Sequence, residues 1–550
     1  MGFHSKLNKK SDIVNEVISF MGCRLITGMI DWLCMLIFVN ILNFNDMLIK
    51  IIANIIVIIL NYIASKFIIF NNKEKQFNCK KLLSIIPIVI MTCIIGFFLD
   101  LNPFNKYGIS STDSSVFRNV AEVILNGGMP YSDIFDHKGP LLYILNTLGQ
   151  LINFKNGIWI IELFSIFVVL FFTYKSFKLF CKTTNSYIGT FLISTILIQY
   201  LEGGNLTEEY AIPFISVSLY IFLDYLKNQN ISKLRIIICG FSFASVCLIR
   251  INMIPVWIAF SLAVLFKLIK EKKYDMIWKF LLYFVIGISI ITLPIIIWLY
   301  CKGALSDFIS QYFLFNFTYT SDSKLYNKVE TALFFLENNL VLIALAINFF
   351  MIFKEKDFIG IVNFIAFMLT ILVIGMSGLT FLHYGMILMS CCIYPFAKLF
   401  SLIENNFSNN YSSISLIVYI IFIILIGNTW INEMIESLNN YTNNPAYYED
   451  KTVANEIKKI TSKNDYITVY GNKTIYYLLS NRKSASKYYY QFPIGNMDKK
   501  ILNEYYDDLT KNNPKLIIVN NIDNRMRKYI SENNYKVIKT YESGVIIYGR

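Results

Sequence analysis

Long apolar runs separated by short polar turns dominate this chain. Read by length and hydropathy, they predict about thirteen membrane spans, each long enough to cross a hydrocarbon core. Two come first, Ile18–Leu42 and Leu48–Phe70, followed by the cationic connector Asn71–Lys81 and then Leu82–Leu99. Beyond a long polar loop come Ile158–Phe180, Tyr187–Leu201, Glu209–Leu226, Leu234–Ile249 and Met253–Leu268. The last are Met276–Tyr300, Thr331–Phe353, Phe358–Met376, Leu382–Phe400 and Ser415–Ile431. Leu141–Ile152 is apolar but short, and reads as a re-entrant or interfacial helix.

From about Asn439 the pattern changes. Short β-rich runs at Tyr466–Tyr470, Ala485–Tyr490, Leu516–Asn520 and Val545–Tyr548 alternate with helical patterns at Val453–Ile460, Lys499–Thr510 and Arg525–Asn533. That order predicts a small α/β domain on an open sheet. The expected fold class is thus a polytopic α-helical membrane protein with a C-terminal α/β domain. Its parts are a two-helix segment over 1–75, a membrane domain over 82–436 with an outer loop at 100–140, and the α/β domain over 439–550.

Composition agrees. Of 550 residues, 55% are hydrophobic and only 16% charged, where soluble domains carry roughly a quarter charged. The net charge of +13 does not point to nucleic acid, because the cations sit in short loops between spans and no basic helix with interleaved aromatics occurs. Lys6, Lys9 and Lys10 precede the first span, and Lys73, Lys75, Lys80 and Lys81 lie in the connector. Lys175, Lys178, Lys182, Lys227, Lys233, Arg235, Lys267, Lys270, Lys272, Lys273, Lys354 and Lys356 fall on the same side if spans alternate. That side, with the N-terminus, is expected to be cytoplasmic. The opposite, extracytoplasmic side receives the Asp113–Pro140 loop, the Gly203-Gly-Asn-Leu-Thr-Glu-Glu turn, the turn before His383 and the C-terminal domain. Met1–Glu16 lack an apolar core with a cleavage site, so no cleaved signal peptide is expected. The ten cysteines mostly lie inside apolar runs and form neither a disulfide framework nor metal-type spacing.

The loop carries the candidate chemistry. Asp113 opens an amphipathic helical pattern with Val116, Val120, Val123 and Ile124 on one stripe. It can be a general base or simply the helix N-cap. Asp133, Asp136, His137 and Lys138 follow among turn residues. Lys138, just before Gly139-Pro140, can hold a lipid phosphate or snorkel to the interface. His137 beside Asp136 lacks a spaced third metal ligand and reads as a solvated turn; a divalent metal stays open as a cofactor. Glu208 and Glu209 begin a span, as helix-end acids or as a substrate-facing pair. Arg250 needs a partner such as Glu208 or Glu209, or an anion. His383 reads as a hydrogen-bonded structural histidine or a site residue. Gly471 follows a strand without a Gly-x-Gly-x-x-Gly run, which argues against a nucleotide site.

The spacings Asp113-x-x-x-Phe, Gly127-Gly-x-Pro-Tyr-x-Asp133 and His137-Lys-Gly-Pro-Leu-Leu-Tyr143 resemble the first outer loop of GT-C glycosyltransferases. The similarity is to bacterial relatives of protein O-mannosyltransferases and lipid A aminoarabinose transferases. Thr207-Glu-Glu-Tyr, Arg250 and His383-Tyr384 are similar to recurrent positions there. The resemblance implies transfer of a sugar, with inversion, from a polyprenyl-phosphate carrier to an extracytoplasmic cell-surface polymer, glycolipid or protein. It implies Asp113 as base and Lys138 as the phosphate contact. Here the lysine lies in His137-Lys-Gly, where the family often has Lys-Pro-Pro or a preceding acid. Glu16-Val-Ile-Ser-Phe, Arg24-Leu-Ile-Thr-Gly-Met-Ile-Asp31 and Asn61-Tyr-Ile-Ala-Ser-Lys-Phe-Ile-Ile-Phe70 resemble GtrA-family proteins, which implies a carrier-handling half or a docking site for a flippase or donor synthase. The rival function is a polyprenyl-phosphate-sugar flippase without transferase activity. It predicts ionisable residues deep in the spans and internal repeats.

Overall fold

A computed structural model describes residues 34–41, 84–105, 112–229, 231–317, 325–406, 412–442 and 445–550, with scattered further positions between 24 and 57. About half of the expected span Ile18–Leu42 is described, with a π-helix over Met35–Ile41; Leu48–Phe70 lies largely outside the described residues and Asn71–Lys81 wholly outside.

The polar loop follows α1 (Ile86–Phe98) and contains α2 (Thr112–Leu125) and α3 (Pro140–Ile152). Next come α4 (Gly157–Lys178), α5 (Thr183–Gln199), α6 (Thr207–Asn228), α7 (Lys233–Cys247), α8 (Pro255–Lys270) and α9 (Tyr274–Cys301). After these lie α10 (Leu325–Leu336), α11 (Asn339–Glu355), α12 (Phe358–Gly375), α13 (Leu388–Asn406), preceded by a 3₁₀ turn from Leu382, and α14 (Ser412–Thr442). Among the described residues five helices are long and apolar enough to span a bilayer: α4, α6, α9, α12 and the Leu382–Asn405 helix. The chain is a multi-pass membrane protein. The expected spans at α5, α7 and α8 are 17, 15 and 16 residues long, at or below the lower end of what crosses untilted.

Burial ranks these helices. In α6, 83% of the apolar window is buried inside the protein, against 11% in α9, so α6 is the central post and α9 faces lipid. One expected span is broken: α10 and α11 meet at 89° where a single Thr331–Phe353 helix was predicted. Asn338 supplies the reason. Its side chain accepts from Leu340 N and Val341 N while its amide donates to Gln199 Oε1 at 2.8 Å, and an N-cap of this kind starts a new helix.

The C-terminal unit begins with α15 (Pro445–Ile460) and continues β1 (Tyr466–Tyr470), α16 (Ile475–Ser480), β2 (Lys483–Ser484), α17 (Lys499–Asn512), β3 (Leu516–Val519), α18 (Asn524–Glu532), β4 (Lys536–Thr540) and β5 (Ile546–Gly549). The sheet order is β2-β1-β3-β5-β4, parallel among β2, β1 and β3 and antiparallel at β5 and β4. Strand alternation assigns its two faces. Ile467, Val469, Leu516 and Ile518 pack in one core with Val453 and Ile457. Tyr470, Ile517 and Val519 join the other, which runs on into Phe117, Phe135 and Tyr143 of the loop. The expected strand Ala485–Tyr490 is irregular apart from the short β2 just before it. Its aromatics dock on the loop instead of pairing: Phe135 N donates to Lys487 O at 2.9 Å.

Candidate active site

A cavity of about 500 Å³ opens where the loop, the α5–α6 turn, the Leu382 turn and the α/β unit converge. Asp113, Asp136, His137, Lys138 and His383 line it, all five singled out by the sequence. Tyr384, already named beside His383, lines it too, as do Glu202, Asn472 and Tyr490, which the sequence did not single out.

Asp113 lies in the first turn of α2, one residue inside the helix rather than capping it. Its neighbours hold it rigidly. Ser114 Oγ accepts from Asn205 Nδ2 at 2.8 Å, and Ser115 Oγ pairs with Thr474 Oγ1 of the α/β unit at 2.6 Å. Asn119 Nδ2 donates to Thr474 O at 3.0 Å. Asn205 is the hub of this region: it also donates to Asn146 Oδ1, accepts from Tyr210 Oη, and its backbone N donates to Glu162 Oε1. Gly203, Gly204 and Asn205 all have positive φ, and that sharp turn was the readable signal for the hub.

The His137–Lys138 segment is fixed from below. Gly139 N donates to Ile249 O at 2.9 Å and Leu141 N to Leu248 O at 3.1 Å, while Pro140 starts α3, where its missing N–H costs nothing. A Cβ on Gly139 would lie 2.0 Å from Leu248 O, so only glycine permits this approach. From the side, Asn316 Nδ2 donates to His137 O at 2.8 Å.

The predicted solvated turn at Asp136–His137 is instead packed and paired. Asp136 accepts from Tyr143 Oη at 2.7 Å, Tyr490 Oη at 2.9 Å and His137 N at 2.8 Å. Burial pushes its carboxyl up from the ordinary value, against the pull of Lys138 and these donors. Among the described residues no group of three or more His, Cys, Asp or Glu is placed to hold a metal.

His137 Nε2 lies 3.0 Å from Lys138 Nζ. Burial, Lys138 and Arg250 hold its imidazole well below the ordinary 6.5, so the neutral ring nitrogen accepts a hydrogen bond from the Lys138 ammonium. The folded site refuses a proton that the unfolded chain accepts. The stability this gives is full above 6.5 and is lost as pH falls below it. The melting temperature of the wild type should therefore drop more steeply between pH 7 and 5 than that of His137→Gln, followed by scanning fluorimetry in detergent. Parallel curves would remove the linkage.

Of the two adjacent acids, Arg250 pairs with Glu208. Its Nη1 lies 2.5 Å from Glu208 Oε1, and its guanidinium sits 4.3 Å from the Tyr384 ring centroid. Burial would lower the guanidinium, but Tyr384, Glu208 and Asp113 outweigh it and raise it further. Glu208→Ala should cost about 3–5 kcal/mol by stranding a buried cation. Pairing it with Arg250→Met should recover most of that loss in thermal unfolding. His383 Nδ1 lies 2.5 Å from Glu202 Oε2, in the cavity wall. Four candidates do not line the cavity: the Arg250–Glu208 pair, which lies on the far side of Tyr384, and Asp133 and Glu209. Asp133 accepts from Met129 N at 2.7 Å and shapes a turn. Glu209 is buried beside Glu162.

Comparison with known proteins places this architecture. The family model of the competence-induced protein Ccs4 N-terminal domain matches residues 94–404. The chain belongs to that family. The matched region contains Asp113, Asp136, His137, Lys138, Glu202, His383 and Tyr384 of the cavity wall. A second model, the GtrA/DPMS transmembrane domain, matches residues 2–70. There the chain is 44% identical over 59 residues to the cell wall teichoic acid glycosylation protein GtcA of Listeria monocytogenes serovar 1/2a, 11% of this chain and 41% of that protein. It is 30% identical over 74 residues to the uncharacterized membrane protein YwcD of Bacillus subtilis, 14% of this chain and 58% of that one. The chain thus spans about two fifths of the first of these relatives. In fold, it resembles ArnT of Cupriavidus metallidurans, solved bound to undecaprenyl phosphate: TM-score 0.57, 10% identity, 86% of this chain and 98% of that chain. The apo form of that protein gives TM-score 0.54 at 9% identity, covering 85% and 98%. The fold is GT-C, with a GtrA-like segment at the N-terminal end.

Proposed function

We infer that this chain is an inverting glycosyltransferase that moves a sugar from a polyprenyl-phosphate carrier to a cell-envelope acceptor outside the cytoplasm. One observation carries the reading: a single cavity holds a candidate base, Asp113, and a candidate phosphate contact, Lys138, in a fold shared with a protein crystallised with undecaprenyl phosphate. Asp113 takes the proton from the acceptor hydroxyl as its oxygen attacks the anomeric carbon. The bond from that carbon to the phosphate oxygen breaks on the opposite face, and the lipid phosphate leaves as an anion. Lys138 offsets that charge as a point cation. His137 is a positioning residue that fixes the ammonium through its neutral Nε2. Asp136 anchors the turn, the Arg250–Glu208 pair adds fixed charge behind it, and His383 with Glu202 closes the wall.

No step is routed through a metal. The cationic loops support a cytoplasmic N-terminus with the site and C-terminal unit outside. The GtrA-like segment supports a role in handling the same carrier, or in docking a flippase or donor synthase. Its GtcA relative, named for cell wall teichoic acid glycosylation, favours a cell-surface polymer over a glycolipid or protein as acceptor. Mass spectrometry of envelope glycans with and without the gene tests the reading. Loss of one hexose or N-acetylhexosamine is expected; unchanged glycans would overturn it.

A further inference from the structure

Resting on that reading but concerning a different part of the molecule, the α/β unit carries a second cavity of about 350 Å³. It opens at the carboxyl ends of β1 and β3, and is lined by Tyr470, Gly471 and Asn472 after β1 and by Asn520 and Asn521 after β3. The topology makes this place special. From β1 the chain crosses to β2 on one side, then returns past β1 to β3 on the other. Two parallel connections leaving in opposite directions open a crevice, and open α/β sheets bind ligands at that switch point.

The lining sets the chemistry. Asn472, Asn520 and Asn521 make no side-chain hydrogen bond among the described residues. Each primary amide presents donors and an acceptor, which matches sugar hydroxyls that also donate and accept. Tyr470, Tyr476 and Phe492 supply aromatic surface beside them. Phosphate is poorly served. Lys473, the cation in the wall, is held by Asp450 at 3.1 Å and lies 3.4 Å from Tyr476 Oη.

The crevice adjoins the catalytic cavity: Asn472 and Phe492 line both. We propose that this crevice is a carbohydrate subsite that holds the acceptor glycan and directs its terminal hydroxyl into the Asp113 cavity. The residues beyond the shared wall, Asn520 and Asn521, then recognise sugar units remote from the reacting one.

The test uses the full chain in lipid nanodiscs, with saturation-transfer NMR to maltotriose, chitotriose and cellotriose as probes and ATP as competitor. At least one oligosaccharide should bind, and the double variant Asn520→Ala/Asn521→Ala should weaken it roughly tenfold or more. Both residues are exposed, so the variant should melt with the wild type. Absence of binding to all three probes, binding untouched by the double variant, or displacement by ATP would each overturn the proposal. Undecaprenyl phosphate binding, measured on the same samples, separates the two readings. Glycan binding without lipid-phosphate binding keeps the subsite and sinks the donor assignment, and the reverse sinks the subsite alone.

Discussion

Asparagine in place of Asp113 should leave the protein folded and the donor bound while turnover falls by about 10²–10⁴-fold. The substitution removes a charge and a proton acceptor but preserves shape. Asp113 faces the cavity from the first turn of α2, and the bonds that hold that turn come from Ser114, Ser115 and Asn119. None of them uses the Asp113 carboxylate, so the scaffold should not notice its loss. Single-turnover transfer from a polyprenyl-phosphate monosaccharide, beside thermal unfolding of the same sample, separates chemistry from folding. Retained transfer by a normally melting variant would remove Asp113 as the base.

Lys138→Ala should weaken binding of undecaprenyl phosphate by about 1.5–3 kcal/mol, the worth of a hydrogen bond to a charged group, or roughly 10–150-fold. Lys138→Arg should restore only part of it. Charge returns, but a planar fork replaces the compact ammonium held 3.0 Å from His137 Nε2. Tryptophan quenching or lipid-exchange titration in nanodiscs reads the affinity. An unchanged affinity in Lys138→Ala would place the phosphate elsewhere in the cavity.

The sequence exposed what is local and left hidden what is long-range. Asp113, Asp136, His137 and Lys138 stood out because polar residues crowded between apolar runs are expensive unless used. His383 followed from the same logic on the same face. Arg250 was seen to need a partner, but only folding could choose between adjacent acids, and it chose Glu208 while turning Glu209 toward Glu162. Tyr490 could not be read as a site residue. It reaches Asp136 across 354 positions, and its Tyr-rich run mimics a strand. Glu202 hid in a turn whose glycines drew attention to conformation rather than to charge. The helix break at Asn338 was marked only by the short polar stretch Glu337-Asn338-Asn339 inside a long apolar run, and the partner Gln199 lies in another helix. In the α/β unit, β4 went unseen because all five of its residues are exposed and no apolar alternation marks it.

The contact between Gly139 and Leu248 O has a use beyond this molecule. Any larger residue at that position must lift the neighbouring lysine or displace the end of α7, so the spot works as a gauge of whether a related chain can still seat its cation. A homologue that keeps every acid yet carries alanine or serine there should be suspected of having drifted from catalysis to another duty.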